Sequence, residues 1–185
     1  MPSPPFALHQ DLLQRLGLPA PGPPTTVRLK FSGYPPGLPL GQLVLLQGTG
    51  RTQAVARVLA EHPDKLATWV EERLSAYPPG LAQQGVTLER LLFVESGPQW
   101  PWVLAQLLRS QVFGLVVVAS ALKGPEVEAG LRRLQLAAER SQALVLLLAQ
   151  PEGAAWAVRL RLRCEREGDE LRLREAAAGA QAAGN

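Results

Sequence analysis

The chain has 185 residues, 46% of them hydrophobic, enough for one full-sized core and too few for two. Its net charge of +3 arises from interspersed acids and bases, which excludes a polybasic tail and leaves only a mild bias towards polyanions. A single cysteine, Cys164, excludes an internal disulfide framework, and the lack of CxxC or clustered histidine argues against a metal site.

No basic stretch followed by an apolar run opens the chain, and the longest apolar runs, such as 143–149, fall far below membrane-spanning length. The expectation is a cytoplasmic protein in a reducing compartment, with no membrane segment. Residues 1–36 are rich in Pro and Gly and read as an extended arm carrying one short helix at 9–16. Phe6, Leu12, Leu13 and Leu16 give that piece an apolar side, but it is too short to be stable alone. It is therefore expected to dock, either on its own core or on another protein.

From Gly37 to residue 175 the pattern is that of one regular domain. Residues 42–47 form an apolar run suited to a buried strand, and Arg51–Glu61 follows with Val55, Val58 and Leu59 at helical spacing. Short strands are expected at 66–70 and Leu91–Glu95. A helix at 102–109, with Val103, Leu104, Leu107 and Leu108 inward, leads into the buried strand Leu115–Val118. An amphipathic helix at 126–141, with Leu131, Leu134, Gln135 and Ala138 along one stripe, feeds a strand at 144–148. Such alternation predicts an α/β fold with a mostly parallel central sheet flanked by helices.

The period then changes. At 156–164 and again at 171–174 apolar and polar residues alternate strictly around the turn "EREGDE". This predicts a C-terminal antiparallel hairpin with Trp156, Val158, Leu160, Leu162, Leu171 and Leu173 inward. Residues 176–185, rich in Ala and Gly, offer little to bury and read as a disordered tail.

Four stretches, "GLPLGQLVLLQGTGRTQAVARVLAE", "GVTLERLLFVES", "LLRSQVFGLVVVAS" and the 144–163 region ending "WAVRLRLR", occur in the order found in the RecA ATPase core. They cover roughly residues 37–165, and within that superfamily the chain resembles the ImuA family of the SOS mutagenesis cassette. The resemblance implies a RecA-like core and a role in error-prone translesion synthesis. It also implies a complex with an ImuB-like polymerase homologue and, through it, with an error-prone replicative-type polymerase on DNA. The cell-division inhibitor SulA shares a similar core and supplies the alternative: an inhibitor binding the tubulin-like division GTPase.

The matched positions depart from a working nucleotide site. A phosphate loop, GxxxxGK[ST], needs four residues between its glycines so that successive amides curve around the phosphates, with a lysine reaching the outer ones. Here Gly48 and Gly50 are separated only by Thr49, and Arg51 precedes Thr52 where the lysine belongs. Three missing residues shorten the loop by about 10 Å of contour. The magnesium-shell aspartate expected after Leu115–Val118 is Ala119. The resemblance places Arg73 at the water-activating glutamate, with Glu72 one residue away, and matches Gln150 to a nucleotide-sensing glutamine. Only short connections, "ASALKGPE" and "PEGAA", stand where long DNA-gripping loops would be. The expectation is an ATPase fold without turnover, cofactor or metal.

Other residues carry two readings each. Arg159, Arg161, Arg163, Arg172 and Arg174 are expected on one outward face of the hairpin, where they track a DNA backbone or form a solvated face balanced by Glu165, Glu167, Glu170 and Glu175. Trp100 and Trp102 flank Pro101 at a helix entrance, as core caps or as exposed partner anchors. The arm also resembles in position the element by which RecA-type protomers pack on a neighbour, so self-association is open. His9, His62 and Cys164 suggest no other catalytic constellation.

Overall fold

The computed structural model describes residues 27–119, 127–148, 158–168 and 170–176. Two short strands, β1 (Arg28–Leu29) and β2 (Leu38–Pro39), pair antiparallel ahead of the main sheet. The apolar runs that lack a helical period then become β3 (Leu43–Gln47), β4 (Ala67–Glu71), β5 (Leu91–Glu95), β6 (Leu115–Val118) and β7 (Leu144–Leu147). β8 (Leu160–Glu167) and β9 (Glu170–Glu175) follow as the predicted hairpin. The seven strands form one sheet in the order β5-β4-β6-β7-β3-β8-β9, parallel throughout except for the antiparallel β8–β9 pair.

Among the described residues four helices flank it: α1 (Arg51–Glu61), α2 (Pro78–Gln83), α3 (Trp100–Arg109) and α4 (Val127–Ser141). α3 begins two residues earlier than its apolar period suggests, because Pro101 fits the first helical turn, where its missing N–H costs nothing. No helix among the described residues is long and apolar enough to cross a membrane.

Each parallel strand contributes to two cores. Val44 and Leu46 pack with Val55 and Val58 of α1, while Leu43 and Leu45 pack with Leu104 of α3 and Leu131 and Leu134 of α4. Burial on both faces is why these strands read as continuous apolar runs rather than as alternations. β8 and β9 lie beyond the helices on one face, and there the alternation appears.

The segment 27–36, part of the arm expected from sequence, is packed against the domain. Leu29, Phe31 and Tyr34 are buried in the α1-side core, and the Tyr34 hydroxyl donates a hydrogen bond to Glu175 of β9. The packed body thus starts ahead of Gly37. These apolar residues are separated by Lys30, Ser32 and Gly33 with no regular period, so pattern alone does not reveal them. Phe6, Leu12, Leu13, Leu16, Gln150, Trp156 and the tail from 177 lie outside the described residues, as do the connections after Ala119 and Leu148.

Gln135 of α4 anchors the start of the central strand. Its Oε1 accepts the Leu43 N–H at 3.2 Å, and its Nε2 donates to Gly41 O at 3.2 Å and to Glu139 Oε1 at 2.8 Å. A polar residue on an apolar helical stripe is tolerated because it satisfies buried backbone groups. Replacing it in Gln135→Leu leaves the Leu43 amide without that acceptor. Urea unfolding of the variant is expected to show a loss of about 1–3 kcal/mol.

Candidate functional site

The sequence-predicted loop is a strand–turn–helix unit at the middle of the sheet. β3 ends at Gln47, Gly48-Thr49-Gly50 make the turn, and Arg51 opens α1. Gly48 has φ +92°, and a Cβ on it would stand 2.4 Å from the Cys164 carbonyl oxygen of β8. The Gly50 N–H donates to that same oxygen at 3.1 Å, and a Cβ on Gly50 would stand 2.7 Å from Leu171 Cδ1. Gly48 is therefore required by the close approach of β8, whereas at Gly50 only the end of the Leu171 side chain of β9 stands in the way.

The consequence is electrostatic. In a phosphate cradle the loop amides point at an anion; here the Gly50 amide points at a carbonyl oxygen of the same chain. Arg51 and Thr52 are exposed at the first turn of α1, which carries no side-chain cap and no acidic residue in that turn. The turn thus presents one exposed guanidinium beside an amide that already has an acceptor.

The other positions lie along the same, C-terminal edge of the sheet. Ala119 follows β6 and donates its N–H to Val70 O at 2.9 Å, with its methyl against the α1-side core. Glu72 and Arg73 are exposed just beyond β4. The carboxylate buried at the end of β4 is Glu71, which sequence reasoning passed over. It accepts hydrogen bonds from the Ser75 N–H, from the Ala76 N–H at 3.1 Å and from Ser75 Oγ at 3.3 Å. Ser96 Oγ donates to Glu71 O at 3.0 Å, and Glu95 accepts the Leu74 N–H at 3.0 Å. Both carboxylates clamp the turn after β4. An acid closing an apolar strand, with Ser four residues later, was the available signal. Among the described residues no group of three or more His, Cys, Asp or Glu side chains is placed to hold a metal ion.

The arginine face is sorted by the hairpin register. Arg163 lies opposite Arg174 and Glu165 opposite Arg172, while Leu162 lies opposite Glu175 and Cys164 opposite Leu173. Arg161, Arg163, Arg172 and Arg174 thus share the outward face. Glu175, expected among its balancing acids, sits on the other face with Tyr34. Arg159 is exposed ahead of β8; Val158 packs into the α3–α4 core whereas Leu162 packs into the α1-side core, so the expected alternation does not extend back to 158.

The two tryptophans divide. Trp100 is 8% exposed and closes over Gly130 of α4, where a Cβ would meet the indole at 3.2 Å; Trp102 is 62% exposed. Leu74, Tyr77 and Leu92 are also exposed, and all three come from the β4–β5 connection or from the edge strand β5 itself.

No protein-family model matches the chain, and no curated protein matches it either.

Two outcomes follow from the Gly48–Cys164 contact. Gly48→Ala forces a left-handed residue against a backbone oxygen and is expected to cost at least about 1–3 kcal/mol, read as a lowered denaturation midpoint. Burial pushes the Cys164 thiol up to about 12 from an ordinary 9. The folded pKa is raised, so the thiol's contribution is complete below pH 9 and is lost as pH rises from 9 through 12. A thiol-reactive disulfide reagent at pH 8 is expected to label Cys164 only at the rate of unfolding.

Proposed function

We propose that this chain is a RecA-like adaptor of the ImuA type, acting in the cytoplasm without nucleotide turnover. In this reading it joins an ImuB-like polymerase homologue, and through it an error-prone replicative-type polymerase, to damaged DNA. The observation that carries the reading is the short glycine turn between β3 and α1, whose Gly50 amide is held by the Cys164 carbonyl. It is supported by the strand–glycine turn–helix unit within a mostly parallel sheet, and by the four sequence stretches that resemble the RecA core. The strand order also differs from the Rossmann and flavodoxin-like orders, in which the first two strands are neighbours.

An adaptor needs a surface for its partner. β5 is an edge strand whose central residues, Leu92, Phe93 and Val94, carry no charge, and Leu92 is 48% exposed. Natural edge strands are ordinarily blunted by Lys, Pro or bulges, so an apolar one with Trp102 following it suits a protein interface.

Affinity capture of the tagged full chain from DNA-damaged cells of the source organism, with mass spectrometry of what is retained at moderate salt, tests the reading. Recovery of a Y-family-polymerase-like protein is expected; recovery of the division GTPase instead would replace the adaptor with the SulA-type inhibitor. In a separate assay, magnesium-dependent ATP hydrolysis is expected to stay at background for the chain and for Arg51→Ala alike. Steady hydrolysis that Arg51→Ala abolishes would overturn the loss of turnover.

A further inference from the structure

We infer that the outward face of the β8–β9 hairpin binds the phosphate backbone of single-stranded DNA, with Arg163 and Arg174 making the contacts. The inference rests on the preceding reading only for the source of the DNA; the face itself is argued from its geometry.

Arg161 lies beside Leu45 and Arg163 beside Gln47 in the β3–β8 register, so they share the sheet face that α3 and α4 cover further along. No described helix covers it at the hairpin, where the side chains of Arg163 and Arg172 are 66% and 50% exposed. Charge is segregated along this face. Towards the turn, Arg172 is held by Glu167 at 3.0 Å and Glu170 at 3.4 Å. Away from the turn stand the exposed Arg163 and Arg174, with Arg161 half-buried beside them, and Glu165 lies 2.8 Å from Arg163 Nε. Arg174 makes no ion pair among the described residues.

Arg163 and Arg174 face each other directly across the ladder. Like charges opposite one another destabilise a sheet, and an acid at either position would have removed the conflict. An external anion relieves it as well, and two adjacent guanidinium forks are suited to phosphate oxygens.

The spacing fits a phosphate backbone, and the width of the sheet selects among nucleic acids. Residues two apart on a strand are roughly 6.5–7 Å apart, close to the interval between successive phosphates of an extended single strand. A free two-stranded ribbon enters the major groove of a duplex, about 12 Å wide, but β8 is also paired with β3 at Arg161 and Arg163, so this arginine face belongs to a wider sheet that the groove does not admit. The ladder residues include no aromatic side chain, so recognition is of backbone rather than base.

The test is fluorescence anisotropy of the full chain with a labelled 20-nucleotide oligo-dT over a salt series. Two neutralised phosphates predict a slope of log affinity against log salt of about −1.4. The double variant Arg163→Gln/Arg174→Gln is expected to bind at least tenfold more weakly, with a shallower slope and a thermal midpoint equal to or above that of the parent. A midpoint that falls with binding would make the arginines structural. Unchanged oligo-dT binding by the variant, tighter binding to duplex of the same length, or binding to polyglutamate but not to oligo-dT would each overturn the proposal. Absence of a polymerase-like protein in the capture experiment would sink the adaptor reading and leave this measurement standing.

Discussion

The approach of β8 to the turn after β3 is the constraint on which much of this architecture depends. β3 is paired with β7 on one side and β8 on the other, so it links the strands that run out to β5 with the hairpin that ends at β9. The second pairing continues past the strand into the turn, where the Cys164 carbonyl takes the Gly50 amide and leaves no room for a Cβ on Gly48. Any longer side chain there would push β8 away, and with it β9 and the Tyr34–Glu175 contact that ties in the connection between β1 and β2. The same contact sets the electrostatics of the turn, because a carbonyl oxygen occupies the direction in which an anion-binding loop leaves its amide free.

Much of this was legible in the sequence because burial leaves a period. β6 and β7 are buried on both faces and appear as unbroken apolar runs; α4 buries one stripe and shows the 3.6-residue spacing; the hairpin buries one face and alternates. The glycine turn was legible because two glycines within three residues mark a turn, and at Gly48 a Cβ does not fit. What escaped detection has no period. Leu29, Phe31 and Tyr34 reach the core from irregular backbone, and Glu71 turns inward to meet amides four and five residues on. Long-range partners were equally hidden. Nothing local announces that Gly50 meets Cys164, or that Glu175 leaves the arginine face for Tyr34.

The polar groups along the C-terminal edge of the sheet share one arrangement. Glu71, Glu95, Ser96 and Gly50 each bond a backbone group of a neighbouring turn or strand. Such bonds fix the turns, and they require each group to keep one orientation. A catalytic carboxylate or a phosphate-binding amide needs the opposite: a group whose partner is the substrate. A scaffold whose edge is satisfied from within fits a protein that presents surfaces, which is the logic of the adaptor reading.

Those surfaces stand at opposite ends of the sheet. β5 and β9 are its two edges, six strand spacings apart, or roughly 25–30 Å. Each departs from what stability alone favours: β5 keeps uncharged Leu92, Phe93 and Val94 along the centre of its edge, and β9 sets Arg174 against Arg163. Small domains keep such departures where function requires them, since neutral alternatives are one substitution away. Their separation means that a protein bound along β5 and a DNA strand bound on the hairpin do not compete for area. The rigid parallel sheet between them fixes the distance and angle at which the two are held. In the proposed adaptor reading the domain contributes that geometry: it replaces a diffusional encounter between protein and DNA with an arrangement already made, and raises the effective concentration of each for the other.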